Sequence, residues 1–154
     1  MRRVGLIIGL ICLLGLGACR EEKHDNALLS RSFTESSWER FDFIYEDIEI
    51  NKPTTYNLSL TASFDPSYAY DDLTLVFTIF DSNGNPFRAK GYKFKLKDGD
   101  GNWKSELVDG EYVFTLPINS ELSINEPGTY RFQVENRMPI TPLEGVKEIR
   151  LNRN

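Results

Sequence analysis

Among 154 residues the chain has one histidine, His24, and two cysteines, Cys12 and Cys19. All three fall within the first 24 positions, so the rest of the chain holds neither an imidazole nor a thiol. A Ser-His-Asp or Cys-His nucleophile needs an imidazole beside it, and zinc is ordinarily held by His or Cys. Neither chemistry can be assembled from what remains. Carboxylate pairs can still cleave glycosides by acid–base work, but the 23 acidic residues are scattered among turns and single out no pair. The best metal lead is Asp98-x-Asp100-x-Asn102, whose alternating oxygens resemble a calcium loop, with Asp109 at its twelfth position. Trp103 stands where that loop needs glycine, and the surrounding pattern is strand-turn-strand, so an ordinary Gly-rich turn is expected. The expectation is a protein that is not an enzyme and needs no cofactor or metal.

Cys19 carries a different chemistry. The run Val4 to Gly17 has 14 uncharged residues, whereas a helix needs roughly 20 to cross a bilayer core. Arg2 and Arg3, a short apolar middle and small residues before Cys19 follow the layout of a secretory signal. The tetrad Leu16-Gly17-Ala18-Cys19 resembles the lipobox of bacterial lipoproteins. That resemblance implies cleavage between Ala18 and Cys19, with acyl chains such as palmitate on Cys19. Each buried CH₂ contributes about 0.8 kcal/mol, and two or three chains make attachment effectively permanent. Cys12 leaves with the signal, so the mature domain has no disulfide. Cleavage also removes two of the 18 basic residues and none of the acidic ones, so the mature chain is more acidic than the whole chain's net charge of −5. Nucleic acids and anionic headgroups select basic surfaces and are poor partners for it.

Three segments are expected: residues 1–18 as lipoprotein signal, 19–37 as acylated N-terminus and flexible tether, and 38–154 as the folded domain. The stretch Arg20 to Ser37 is polar and lacks a sustained period. Its acidic pair Glu21 and Glu22 resembles a surface-export signal of some Bacteroidetes lipoproteins, and reads equally as a solvated tether.

From Trp38 the chain alternates at period two, the mark of strands with one buried face. Tyr56, Leu58, Leu60, Ala62 and Phe64 share one side of a strand, with small polar residues on the other, which implies a solvated outer face. Phe41, Phe43 and Tyr45 open an earlier strand whose pattern shifts at Ile48 and Ile50, as at a bulge. Leu73 to Phe80 reads as a central strand, and Asp81-Ser82-Asn83-Gly84-Asn85 as the turn of a hairpin. Tyr92, Phe94 and Leu96 then point inward, with Lys93, Lys95 and Lys97 outward. Further strands follow around Phe114, Phe132 and Ile149. This is an all-β chain, an antiparallel β-sandwich of about seven strands.

Lys93, Lys95 and Lys97 read as the wet face of a strand, as protection of a sheet edge, or as a docking row. Tyr68, Tyr70 and Trp103 lie near turns, where they plug a sandwich end, stack on sugar rings, or anchor a protein partner. A glycan module would leave aromatic faces exposed and coplanar. An assembly subunit would show an apolar or charge-complementary patch.

The ordered series of the lipobox, Trp38, Tyr56-Asn57-Leu58, Tyr70 with Asp72-Leu73, Asp81 to Gly84, Asp98 to Trp103, Gly128-Thr129-Tyr130-Arg131-Phe132, Met138 and Leu143-Glu144-Gly145-Val146 resembles the gliding motility lipoprotein GldH family of Bacteroidetes. The resemblance spans nearly the whole mature domain. It implies an accessory lipoprotein of the gliding and linked type IX secretion apparatus, probed through its surface rather than through an activity. Its implied partners are the membrane, through Cys19, and other envelope proteins. The implied location is the cell envelope, at the outer membrane, on its periplasmic or surface face. A cell-surface glycan-binding lipoprotein module is the rival reading.

Overall fold

The structure, a computed structural model, describes residues 26–154. The signal segment, the Ala18–Cys19 cleavage, the lipidation of Cys19 and the acidic pair lie outside the described residues. Eleven strands follow in order: β1 (Ala27–Ser32), β2 (Ser37–Trp38), β3 (Ile44–Ile50), β4 (Thr54–Phe64), β5 (Asp72–Phe80), β6 (Pro86–Lys95), β7 (Leu107–Val108), β8 (Glu111–Ile124), β9 (Gly128–Asn136), β10 (Leu143–Glu144) and β11 (Val146–Arg153). They build a five-stranded sheet in the order β1-β11-β4-β8-β7 and a four-stranded sheet in the order β3-β9-β5-β6, with β10-β2 as a small third pair. Every pairing is antiparallel. The sandwich read from the alternation is therefore the fold, with short strands added to the expected set.

The core lies between the two large sheets. Leu58, Leu60, Ala62 and Phe64 of β4 join Leu73, Leu75, Phe77 and Ile79 of β5 and Phe132 and Val134 of β9 in one buried cluster. Trp38 closes one end, fully buried, its indole N–H donating to the Asp42 carbonyl at 2.8 Å. Pro117 sits inside β8, opposite Ser59 of β4. It is tolerated because β7 reaches only Glu111 and Tyr112, and an edge position asks no ladder N–H of it.

Three expectations need correction. Residues 27–32, assigned to the tether, form β1, which pairs with β11 and buries Leu29. Arg31 hid the alternation by interrupting the apolar series Leu29 and Phe33. Its guanidinium reaches the edge and meets Asp42 at 2.7 Å. The domain thus begins at Ala27, ahead of Trp38. Second, the polar face of β4 is not solvated: Ser59, Thr61 and Ser63 are buried, Ser63 at 2 % exposure. β4 is the middle strand of its sheet, and these short side chains sit below taller neighbours such as Arg150 and Glu148. Asn152 Nδ2 donates to Thr61 Oγ1 at 2.8 Å, and Ser59 Oγ to Asn154 Oδ1 at 3.1 Å. Third, β3 starts at Ile44 and pairs with β9 without a register shift. Phe41 stands in the preceding turn at 77 % exposure, and Tyr45 faces outward.

Candidate interaction surface

Two Asp-led turns set the ends of the β5–β6 region. In the hairpin between those strands, Asp81 Oδ1 accepts the backbone N–H groups of Asn83 and Asn85, both at 2.9 Å. Gly84 supplies the positive φ of 78° that the turn needs. The second turn repeats the device: Asp98 Oδ1 accepts from the N–H groups of Asp100 and Asn102, each at 2.9 Å. Backbone hydrogen bonds hold both carboxyls below the ordinary carboxylate value. The oxygen alternation around Asp98 is thus used as turn chemistry, with the leading carboxylate already occupied by main-chain donors.

The aromatic residues singled out from sequence do come together, as a plug. Tyr68 is 1 % exposed, and its hydroxyl donates to the Asp72 carbonyl at 2.7 Å. Burial drives its phenol pKa far upward. Tyr70 meets it edge-on at 5.5 Å and 77°, and Trp103 lies 6.2 Å away, tilted by 46°. Trp103 stacks instead on Tyr112, at 4.2 Å and 12°. Tyr68 is therefore no surface contact, and the three rings form no coplanar platform. The cause is the β10–β11 turn, which closes on Tyr68 so tightly that a Cβ at Gly145 would stand 2.8 Å from the Tyr68 Cα.

The lysine row divides. Lys93 and Lys95 face solvent on β6, with Lys93 Nζ 3.2 Å from Asp72. Lys97 turns inward: β6 ends at Lys95, Lys97 bridges to Trp103, and its ammonium donates to the Tyr68 carbonyl at 2.9 Å while lying 4.6 Å from the Trp103 ring centre. A buried carbonyl and an aromatic face hold the cation better than one more position in a like-charged row.

A polar outer surface on the four-stranded sheet escaped the sequence reading. Arg131 of β9 grips Asp47 of β3 in a two-pronged pair at 2.8 and 2.9 Å, and its guanidinium lies 4.2 Å from the Tyr45 ring centre. The hydrogen bond to Arg131 lowers the Asp47 pKa, and the same bond raises that of Arg131. Phe80, Ser82, Thr129 and Gln133 join this pair around an open depression of about 570 Å³. Asp47 and Arg131 are 84 positions apart, and only strand pairing makes them neighbours. The alternation of outward residues in β9 was the sole available signal.

What these features define is a two-sheet antiparallel domain with an aromatic plug around Tyr68 at one end and organised charge on the outer face of its four-stranded sheet. The GldH lipoprotein family matches residues 29–152, and the chain belongs to that family. The match begins inside β1, in agreement with the corrected start of the domain. No curated protein matches the chain. Membership makes this a lipoprotein of the cell envelope, associated with the membrane through a lipid anchor and related to gliding motility.

Proposed function

We propose that the protein is a non-catalytic accessory subunit of the gliding motility and type IX secretion apparatus, acting by contact with other envelope proteins. Acyl chains on Cys19 hold it at the outer membrane after cleavage behind Ala18, and it needs no metal or cofactor. The family match over residues 29–152 carries this reading. The chemistry of the domain agrees with it: the Asp98 carboxylate is taken up by its own turn, and Trp103 is stacked on Tyr112. The rival glycan-binding reading is disfavoured by the tilt of Tyr68, Tyr70 and Trp103 against one another.

Deletion and complementation test the proposal. Loss of the protein should impair gliding or secretion. The wild-type chain and a variant carrying Asp98→Asn with Asp100→Ala should both restore it, because a turn tolerates these changes and a calcium site does not. Normal gliding and secretion in the deletion strain would sink the accessory role. Micromolar binding of calcium, or of an oligosaccharide lost on Trp103→Ala, would replace it with a ligand-binding one.

A further inference from the structure

The four-stranded sheet ends in two unlike edges. Among the described residues β3 pairs only with β9 and β6 only with β5, so each edge offers a row of unpaired backbone N–H and C=O groups. β3 reads IYEDIEI, with Glu46, Asp47 and Glu49 and no cation. β6 reads PFRAKGYKFK, with Arg88, Lys90, Lys93 and Lys95 and no carboxylate. In a chain of net charge −5 that strand concentrates the minority sign. Asp47 and Lys93 are held by Arg131 and Asp72. Glu46, Glu49, Arg88, Lys90 and Lys95 are exposed and enter no ion pair among the described residues.

Register places the charges with unusual effect. Glu46 lies opposite Phe132, while Lys90 and Arg88 lie opposite Phe77 and Ile79. All three therefore stand on the core-facing side of an edge, where a like charge on an incoming strand meets an unfavourable neighbour. Two β3 edges would set carboxylate against carboxylate, and two β6 edges cation against cation. A β3 edge against a β6 edge removes both like-charge conflicts; with Glu46 opposite Lys90, Ile48 falls opposite Arg88, whose aliphatic stem lies along it while the guanidinium reaches solvent. The direction also fits. Three successive antiparallel pairings, β3 to β9, β9 to β5 and β5 to β6, leave β6 running opposite to β3. A second copy displaced along the sheet then brings its β3 to β6 antiparallel, in continuation of the existing ladder. With Glu46 opposite Lys90, Tyr45 falls over Gly91, where nothing but a Val76 methyl at 4.0 Å approaches the missing Cβ. An aromatic ring over a strand glycine is a favourable cross-strand pair.

We propose that a second copy of this chain docks head to tail, its β3 adding to the free edge of β6 as a further strand of the four-stranded sheet. The contact is heterologous, joining different surfaces of the two copies. It goes beyond the accessory role and does not depend on it. Disulfide trapping in the native envelope tests it. Two differently tagged full-length chains, one with Glu46→Cys and one with Lys90→Cys, are co-expressed and mildly oxidised. Facing residues of an antiparallel pair have Cα atoms about 4.5–5.5 Å apart, within disulfide reach. The mixed disulfide should exceed either homotypic one by at least roughly tenfold, and adding Arg88→Glu to the Lys90→Cys chain should reduce it by a similar factor. Glu46→Cys with Arg88→Cys reads a two-residue slip of the same pairing. Each variant's cellular level, compared with wild type, verifies that it has folded. Well-folded variants that give no mixed disulfide in either pairing, homotypic yields equal to the mixed one, or trapping of a different protein at Glu46→Cys would each overturn the proposal.

Discussion

Gly145 shows how one residue without a side chain locks a site. Its φ of 89° lies where L-residues are strained, and the backbone of Tyr68 occupies the space a Cβ would need. Both penalties act at once on Gly145→Ala, which should lower unfolding stability by about 2–4 kcal/mol, read by chemical denaturation. The turn carboxylates give the second residue-scale expectation. Asp81 and Asp98 have folded pKa values below their ordinary 3.8, so the native state binds fewer protons than the unfolded one. Their stabilising effect is present above that value and is lost as pH falls through the folded values. Thermal melts taken downward from pH 4 should fall, and Asp81→Asn combined with Asp98→Asn should flatten the decline. Tyr68 acts at the other extreme. Its raised pKa keeps the phenol neutral in the folded state above pH 10, so stability is lost as pH climbs past that value, and tyrosinate absorbance from Tyr68 should appear only with unfolding.

At the scale of elements, an inward-pointing aromatic counts by where its strand lies. Phe64 and Phe94 look alike in the alternation, but Phe64 ends the central strand β4, fully buried, whereas Phe94 is half-buried on the edge strand β6 and stacks on Tyr92 at 5.5 Å. Phe64→Ala should cost roughly 3–5 kcal/mol, and Phe94→Ala less, about 2–3 kcal/mol, because part of its ring keeps contact with water in the folded state. Urea titration of the two variants separates them, and equal losses would show that β6 is covered. The same positional logic explains β4: Ser59, Thr61 and Ser63 are polar by type and buried by neighbourhood.

For the whole molecule, attachment and fold are separable. The described residues form a complete two-sheet core without Cys19, so Cys19→Ser should release or mislocalise the protein while leaving the domain folded. Fractionation of membranes and supernatant, with protease resistance as the folding control, gives the outcome. A Cys19→Ser chain that stays membrane-bound, with its signal removed normally, would contradict lipid anchoring through this residue.

The amino-acid sequence by itself determined the alternation, and with it the antiparallel sandwich, the Asp81–Asn85 hairpin and the buried side of β4, because period-two burial and Asn-Gly turn chemistry are local properties. It also excluded thiol and imidazole chemistry from the domain, since composition alone decides which groups exist. Whether a polar residue is wet, however, depends on how many strands flank it. That is why the serines of β4 are buried, whereas Lys97 turns inward because β6 ends at Lys95 and residues 27–32 hide their strand behind Arg31. The aromatic plug around Tyr68, the Asp47–Arg131 grip and the opposite signs of the β3 and β6 edges join positions far apart in the chain. Their contacts exist only once strand order and register are set, because the lysine row of β6 fits a sheet edge and a wet strand face equally well.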